Sequence, residues 1–198
     1  MLFVRVIITD NSSIFMFAGD VMLKKMNEKD FSKVFDLMLQ SFPDDERRTF
    51  DDEKALLENP YFQIYVLPND DETDVRGVIT VWDFEKFAYV DHFAVNPNYR
   101  NGGIGTKMLA ETVEKLAKTI CLEVEPPENE TAKRRIAFYE RNNFFLNEYS
   151  YMQPPISKGK NAIELKVMTY GKQISQKEFD EIKAVLYKNV YGVSPTEY

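Results

Sequence analysis

Residues 93–106 read Phe93-Ala94-Val95-Asn96-Pro97-Asn98-Tyr99-Arg100-Asn101-Gly102-Gly103-Ile104-Gly105-Thr106, with three glycines inside four positions. Residues without bulky side chains let backbone N–H groups come close to a ligand. A helix beginning there adds unpaired donors and the positive end of its dipole. Such a loop can hold phosphate oxygens. It is not a Walker loop, because Gly105 is followed by Thr106 and then Lys107 rather than by Lys and then Ser or Thr. It is not a dinucleotide fingerprint either, since Met108 stands where the third glycine belongs. The plain alternative is a glycine-rich turn that only caps a helix.

For this loop to work it must lie between a strand and a helix, and the flanking patterns supply both. Residues 88–95 are rich in aromatic and β-branched side chains, and from Ile104 the apolar residues Met108, Leu109, Val113, Leu116 and Ala117 follow helical spacing over residues 104–118. Residues 119–124 then read as a buried strand ending at Pro126-Pro127. Strand, helix and strand in that order imply parallel neighbours.

Upstream, Phe31, Val34, Phe35, Met38, Leu39 and Phe42 predict a first amphipathic helix capped by Asn27 and ended by Pro43, and a shorter one runs through Ala55, Leu56 and Leu57. Residues 61–67, 78–82 and 88–95 read as an antiparallel meander. Residues 131–142 form a fourth helix, and 144–151 and 162–170 two later strands. Ser175 and Glu178 make a capping box for a last helix with Phe179, Ile182, Val185 and Leu186 inward.

The chain has 198 residues with 44% apolar and 14% aromatic side chains, enough to bury a core. Its net charge of −7 argues against a general affinity for nucleic acid or anionic lipid, so an anionic ligand must be gripped locally. One histidine, His92, rules out a two-histidine metal site. One cysteine, Cys121, rules out an intrachain disulfide and a cysteine-rich zinc cluster, and fits a reducing, cytoplasmic setting. No metal is expected, and Cys121 reads as core packing. No apolar run approaches the roughly 20 residues of a membrane-spanning helix. Residues 1–21, where Asp10-Asn11-Ser12-Ser13 splits two apolar patches, read as an N-terminal extension rather than a signal peptide. The working domain is expected over residues 22–198.

Val95, Pro97, Arg100, Gly103 and Gly105 match, position by position, the Val-x-Pro and Arg-x-x-Gly-x-Gly signature of the GNAT superfamily of acyl-CoA-dependent N-acyltransferases, which the chain resembles over roughly residues 22–170. The resemblance implies a mixed α/β fold: a mostly antiparallel central sheet with one parallel, splayed strand pair and helices on both faces. It implies that acetyl-CoA is the cosubstrate and that the amides of Asn101, Gly102, Gly103, Ile104, Gly105 and Thr106 bind its pyrophosphate with help from Arg100. The backbone of Phe93, Ala94 and Val95 would pair with the pantetheine arm.

A second family element, a helix ending in Phe-Tyr, is matched by Phe138-Tyr139. Three departures accompany it: Asn143 replaces a glycine, Ala132 an asparagine that often touches coenzyme A, and Arg135 a small residue. Asparagine tolerates left-handed backbone angles, and Arg135 could face solvent, the favoured expectation, or the 3′-phosphate of coenzyme A.

The resemblance further implies direct attack of an amine on the thioester in a ternary complex, with an oxyanion met by the N–H of Phe93 or Val95. Tyr139 is the candidate acid toward the leaving thiolate. A phenol near ~10 and a thiol near ~8.5 are mismatched by about 1.5 units, so it can serve simply by hydrogen-bonding the sulfur. Strict alternation puts Tyr89, Asp91, Phe93 and Val95 on one strand face and Val90, His92 and Ala94 on the other. Members of the family often take the base from this strand on the face of Asp91, so the resemblance makes Asp91 the leading candidate, with Glu123 on the neighbouring strand and His92 behind it. Asp44, Asp45 and Glu46, or Tyr151 and Gln153, could receive a cationic amine of a small molecule, peptide or protein. A rival reading keeps the coenzyme A cradle in a non-catalytic sensor; a weaker one makes the chain another nucleotide-binding α/β protein. A monomer or homodimer is expected.

Overall fold

A computed structural model describes residues 23–194 and 196, apart from positions 70, 72 and 101. The expected extension over residues 1–21 lies outside the described residues. In chain order the elements are β1 (Lys24–Lys25), α1 (Phe31–Ser41), α2 (Phe50–Ala55), β2 (Phe62–Pro68), β3 (Val75–Asp83), β4 (Phe87–Val95), α3 (Ile104–Leu116), β5 (Thr119–Val124), α4 (Glu130–Arg141), β6 (Phe144–Gln153), β7 (Ile163–Tyr170) and α5 (Gln176–Asn189). The two-residue β1 is too short to leave a periodicity and was not expected.

Local chemistry fixes most boundaries. The Asn27 side chain accepts from Lys29 N–H and starts a short 3-10 turn that runs into α1. The Thr49 hydroxyl caps α2 by accepting from Asp52 N–H. Ser175 and Glu178 close the capping box of α5. Asn143 holds φ at +65°, the left-handed angle that a glycine would take at the end of α4. The buried arc of α1 is centred on Phe31, Val34 and Met38, so Leu37 lies inside and Leu39, expected inward, is 43% exposed.

The strands make one sheet in the order β1-β2-β3-β4-β5-β7-β6, antiparallel except for β4 beside β5. Helices cover both faces. On one, Phe31, Val34 and Met38 of α1 and Phe179, Ile182 and Leu186 of α5 pack on Trp82 and Tyr89. On the other, Met108 and Leu109 of α3 and Ile136 and Tyr139 of α4 pack on Ile79, Val90 and Leu122. Each large side chain fully buried this way stabilises the fold by about 1.5–3 kcal/mol. Among the described residues no helix is long and apolar enough to cross a membrane.

Two irregularities shape the middle of the sheet. Val81 faces Val90 but Thr80 faces His92, so Asp91 is an extra residue in β4, a β-bulge. Alternation fails across it. Asp91 bonds the Trp82 indole and His92 bonds Thr80, which puts both on the α1 and α5 side with Tyr89. Phe93 and Val95 pack with Val90 on the α3 and α4 side. The expected grouping of Asp91 with Phe93 and Val95 is therefore corrected. Just beyond the bulge the parallel pair separates: β4 and β5 pair only from Phe87↔Thr119 to Val90↔Leu122, after which Glu123 and Val124 pair with β7 while β4 stays with β3.

Candidate active site

The gap between β4 and β5 offers unpaired backbone. Asn96 N–H donates to the Arg76 carbonyl at 2.9 Å and continues the β3–β4 register. N–H direction alternates along an antiparallel ladder, so Ala94 faces β3 as Asn96 does, and the Phe93 and Val95 N–H groups turn to the gap. Ala94 itself is a buried wall residue of the cavity there.

On the α3 and α4 side the gap opens into a cleft lined by Phe93, Val95, Arg100, residues 103–106, Arg134, Phe138 and Tyr139. Gly103 is the residue before α3 and holds φ at +70°, so it turns the chain into the helix where a side chain would be strained. It carries no capping side chain, and Lys107 N–H makes the first bond back, to the Gly103 carbonyl. The N–H groups of Ile104, Gly105 and Thr106 precede the first intrahelical donor, Lys107 N–H, and no described residue accepts from them. A Cβ on Gly105 would meet the Phe138 ring at 3.2 Å, so this glycine serves helix packing against α4. Gly102 is exposed beside the cleft, and Asn101 lies outside the described residues. The Arg100 Nε–H donates to the Val95 carbonyl at 3.1 Å, which ties the loop to the strand end. These groups fit a diphosphate ester: convergent donors, a positive helix end and two arginines.

Tyr139 stands where the cleft joins a second cavity of about 240 Å³ lined by Ser41, Phe42, Glu46, His92, Glu123 and Gln153. No described residue bonds its hydroxyl, and burial pushes the phenol up to about 12. Arg135 keeps a side chain 38% exposed, pairs with Glu125 at 2.8 Å and lines both spaces.

Glu123 lies in the wall of this second cavity, on the first residue of β5 past the end of pairing with β4. Three phenols donate to it: Tyr89 at 2.9 Å, Tyr191 at 2.9 and 3.1 Å to its two oxygens, and Tyr151. Burial raises its carboxyl to about 7 against the lowering effect of those bonds. Burial, then the Glu123 charge, pushes all three phenols well up, so they stay protonated donors.

Asp91 lines the same cavity, with its carboxylate engaged by a buried cation. Its Oδ2 accepts from Arg48 at 2.7 Å and from the Trp82 indole at 3.0 Å, and Arg48 also pairs with Glu53 at 3.2 Å. Burial would raise the Asp91 carboxyl, but Arg48, His92 and these bonds hold it below the usual range. It is the counter-ion of a buried cation. His92 is 1% exposed, with Nε2 against the Glu46 carbonyl at 2.9 Å and Nδ1 against the Thr80 hydroxyl at 3.4 Å.

Of the acidic connector, Asp44 pairs with Lys160 and Arg47, and Asp45 accepts from Asn161. Only Glu46 reaches the cavity, where burial and then the nearby Glu125 raise its carboxyl. Gln153 lines the cavity with its amide nitrogen shut off from solvent, and Tyr151 is engaged with Glu123.

Sequence reasoning missed Arg48, Glu53, Tyr89 and Tyr191. Arg48 sits at the end of a charged connector and Glu53 in the short α2, and no motif or spacing marks them or the two tyrosines.

Residues 30–144 match the Acetyltransferase (GNAT) family. A solved structure assigned to that family, from Bacteroides thetaiotaomicron, is 36% identical, covers 88% of this chain and 100% of its own, and has a TM-score of 0.80. The acetyltransferase-like YjbC of Bacillus subtilis (strain 168) is 28% identical over 113 residues, 55% of this chain, and the chain spans 58% of the length of that relative. A variant of the SpeG spermidine N-acetyltransferase from Vibrio cholerae, 12% identical, shares the fold with a TM-score of 0.56 over 75% of this chain and 92% of its own. With the family match spanning more than half of its length and a structural relative covered end to end, the chain belongs to the GNAT family of acetyltransferases.

Proposed function

We propose that the chain is an N-acetyltransferase that transfers the acetyl group of acetyl-CoA to an amine, with Glu123 as the base and Tyr139 beside the leaving sulfur. The observation that carries this reading is the strand gap: a phosphate-fitting cleft opens on one face and a carboxylate with a value near neutrality stands on the other. Acetyl-CoA supplies an activated thioester carbonyl. The free N–H groups of Phe93 and Val95 stabilise negative charge developing on a carbonyl oxygen held in the gap. Glu123 accepts the proton that the amine sheds.

A base near 7 suits an α-amine near ~8, about 1 to 1.5 kcal/mol away, better than a lysine-like amine near ~10.4, about 4 to 5 kcal/mol away. Glu46 lines the same cavity and favours entry of a cationic acceptor there, whereas Glu125 is paired with Arg135. For Tyr139, a phenol raised to about 12 is too weak an acid to hand its proton fully to a thiolate near ~8.5. It acts as a hydrogen-bond donor to the departing sulfur.

The test is release of free thiol from acetyl-CoA with a panel of α-amines, primary alkylamines and polyamines. Turnover with at least one amine is expected, and Tyr139→Phe should lower kcat about 10- to 100-fold with little change in acetyl-CoA affinity. Tight acetyl-CoA binding with no turnover across the panel would favour the non-catalytic sensor.

A further inference from the structure

We propose that Tyr191, carried into the site by the C-terminal helix α5, is a positioning residue that holds the Glu123 carboxylate at the strand gap together with Tyr89 and Tyr151. The proposal rests on the reading of Glu123 as the base. Tyr191 stands two positions past the last residue of α5, after the capping Val190, and lies outside the segment that matches the family, residues 30–144. Its hydroxyl is the one that reaches both carboxylate oxygens, at 2.9 and 3.1 Å, and it sits 3.2 Å from the Tyr89 hydroxyl.

α5 is anchored for that task. Phe179, Ile182 and Leu186 bury its inner face, the Tyr187 hydroxyl donates to the Met152 carbonyl, and the Tyr191 N–H returns to the Leu186 carbonyl at 3.2 Å. The groups facing Glu123 come from every side: Tyr89 and Asp91 of β4, Cys121 of β5 itself, Tyr151 of β6 and Tyr191 of the tail, with Arg48 close to Tyr191. Of these, only the phenols donate to the carboxylate. Each donated bond favours the charged form, so removing the doubly bonding phenol raises the pH at which Glu123 becomes a competent base.

Wild type, Tyr191→Phe and a control, Tyr149→Phe, are compared. Tyr149 donates to the Ile174 carbonyl rather than to Glu123, so the control loosens the same region without touching the carboxylate. The readouts are the pH profile of kcat/KM and direct titration of Glu123 by NMR of carbon-labelled glutamate. In Tyr191→Phe the acid limb and the Glu123 titration should both move up by about one unit, with kcat/KM about tenfold lower on that limb. The KM for acetyl-CoA should stay put, and the control should overlay wild type. A folded Tyr191→Phe protein with an unmoved Glu123 titration overturns the proposal. Full activity in Glu123→Gln would remove the base reading alone, because the NMR titration still reports whether Tyr191 holds the carboxylate.

Discussion

Replacing Glu123 with glutamine is expected to lower kcat by about 10²- to 10³-fold while leaving acetyl-CoA affinity nearly unchanged, the size of a positioned general base. The amide keeps the volume and an acceptor oxygen for the surrounding phenols, but it cannot take a proton. In wild type the carboxyl stands at about 7, so kcat/KM should fall as pH drops through that value, and the variant should lack this limb. Steady-state kinetics on both proteins across pH checks both points.

The same group links to stability with a definite sign. Its value in the folded protein, about 7, is above the ordinary 4.5, so the folded state binds the proton more tightly than the unfolded chain. The resulting stabilisation is fully present below about 4.5 and is lost as pH rises through about 7. It amounts to about 3 kcal/mol. Denaturant midpoints should therefore fall across that window in wild type, and the Glu123 share of the fall should be missing in Glu123→Gln. Coincidence of the two pH profiles would count against the buried charge.

The second large effect is on folding. Arg48→Ala should destabilise the protein by about 3–5 kcal/mol and lower Tm by about 10 °C. Arg48 is 3% exposed and serves two buried carboxylates, Asp91 at 2.7 Å and Glu53 at 3.2 Å. Its removal leaves both charges in the interior without a counter-ion. Asp91 now contributes stability above its ordinary 3.8, and that contribution is lost as pH falls through its depressed value. Without Arg48 the cause of the depression goes, and the variant should tolerate acid relatively better than neutral pH. Arg48→Met combined with Glu53→Gln and Asp91→Asn should recover most of the loss, because the cost is charge burial rather than packing. Calorimetry of the single and triple variants decides. Equal Tm values for both would mean that packing of the guanidinium against Trp82, 5.9 Å from the ring centre, is what matters.

What could be read along the chain was local. The glycine loop, the helix after it and the capping box at Ser175 each depend on neighbours within about one helical turn, and local backbone preferences survive folding when nothing opposes them. The order of strands and helices around the loop was legible for the same reason: apolar periods of two and of three to four depend only on which face is buried.

The assignment of catalytic roles was not local. One extra residue in β4, which exists only because β3 pairs on either side of it, turned His92 to the side of Asp91 and sent Phe93 and Val95 to the other face, while Arg48 and the Trp82 indole took up the Asp91 carboxylate. The carboxylate left in the gap, Glu123, draws its donors from positions 89, 151 and 191, the outer two of them 102 residues apart. Arg48 became an interior cation because α2 and β4 close on it. Composition and spacing carry no trace of such meetings. Burial and pairing across the sheet decide which carboxylate is neutralised by a cation and which is left near neutrality facing an open gap.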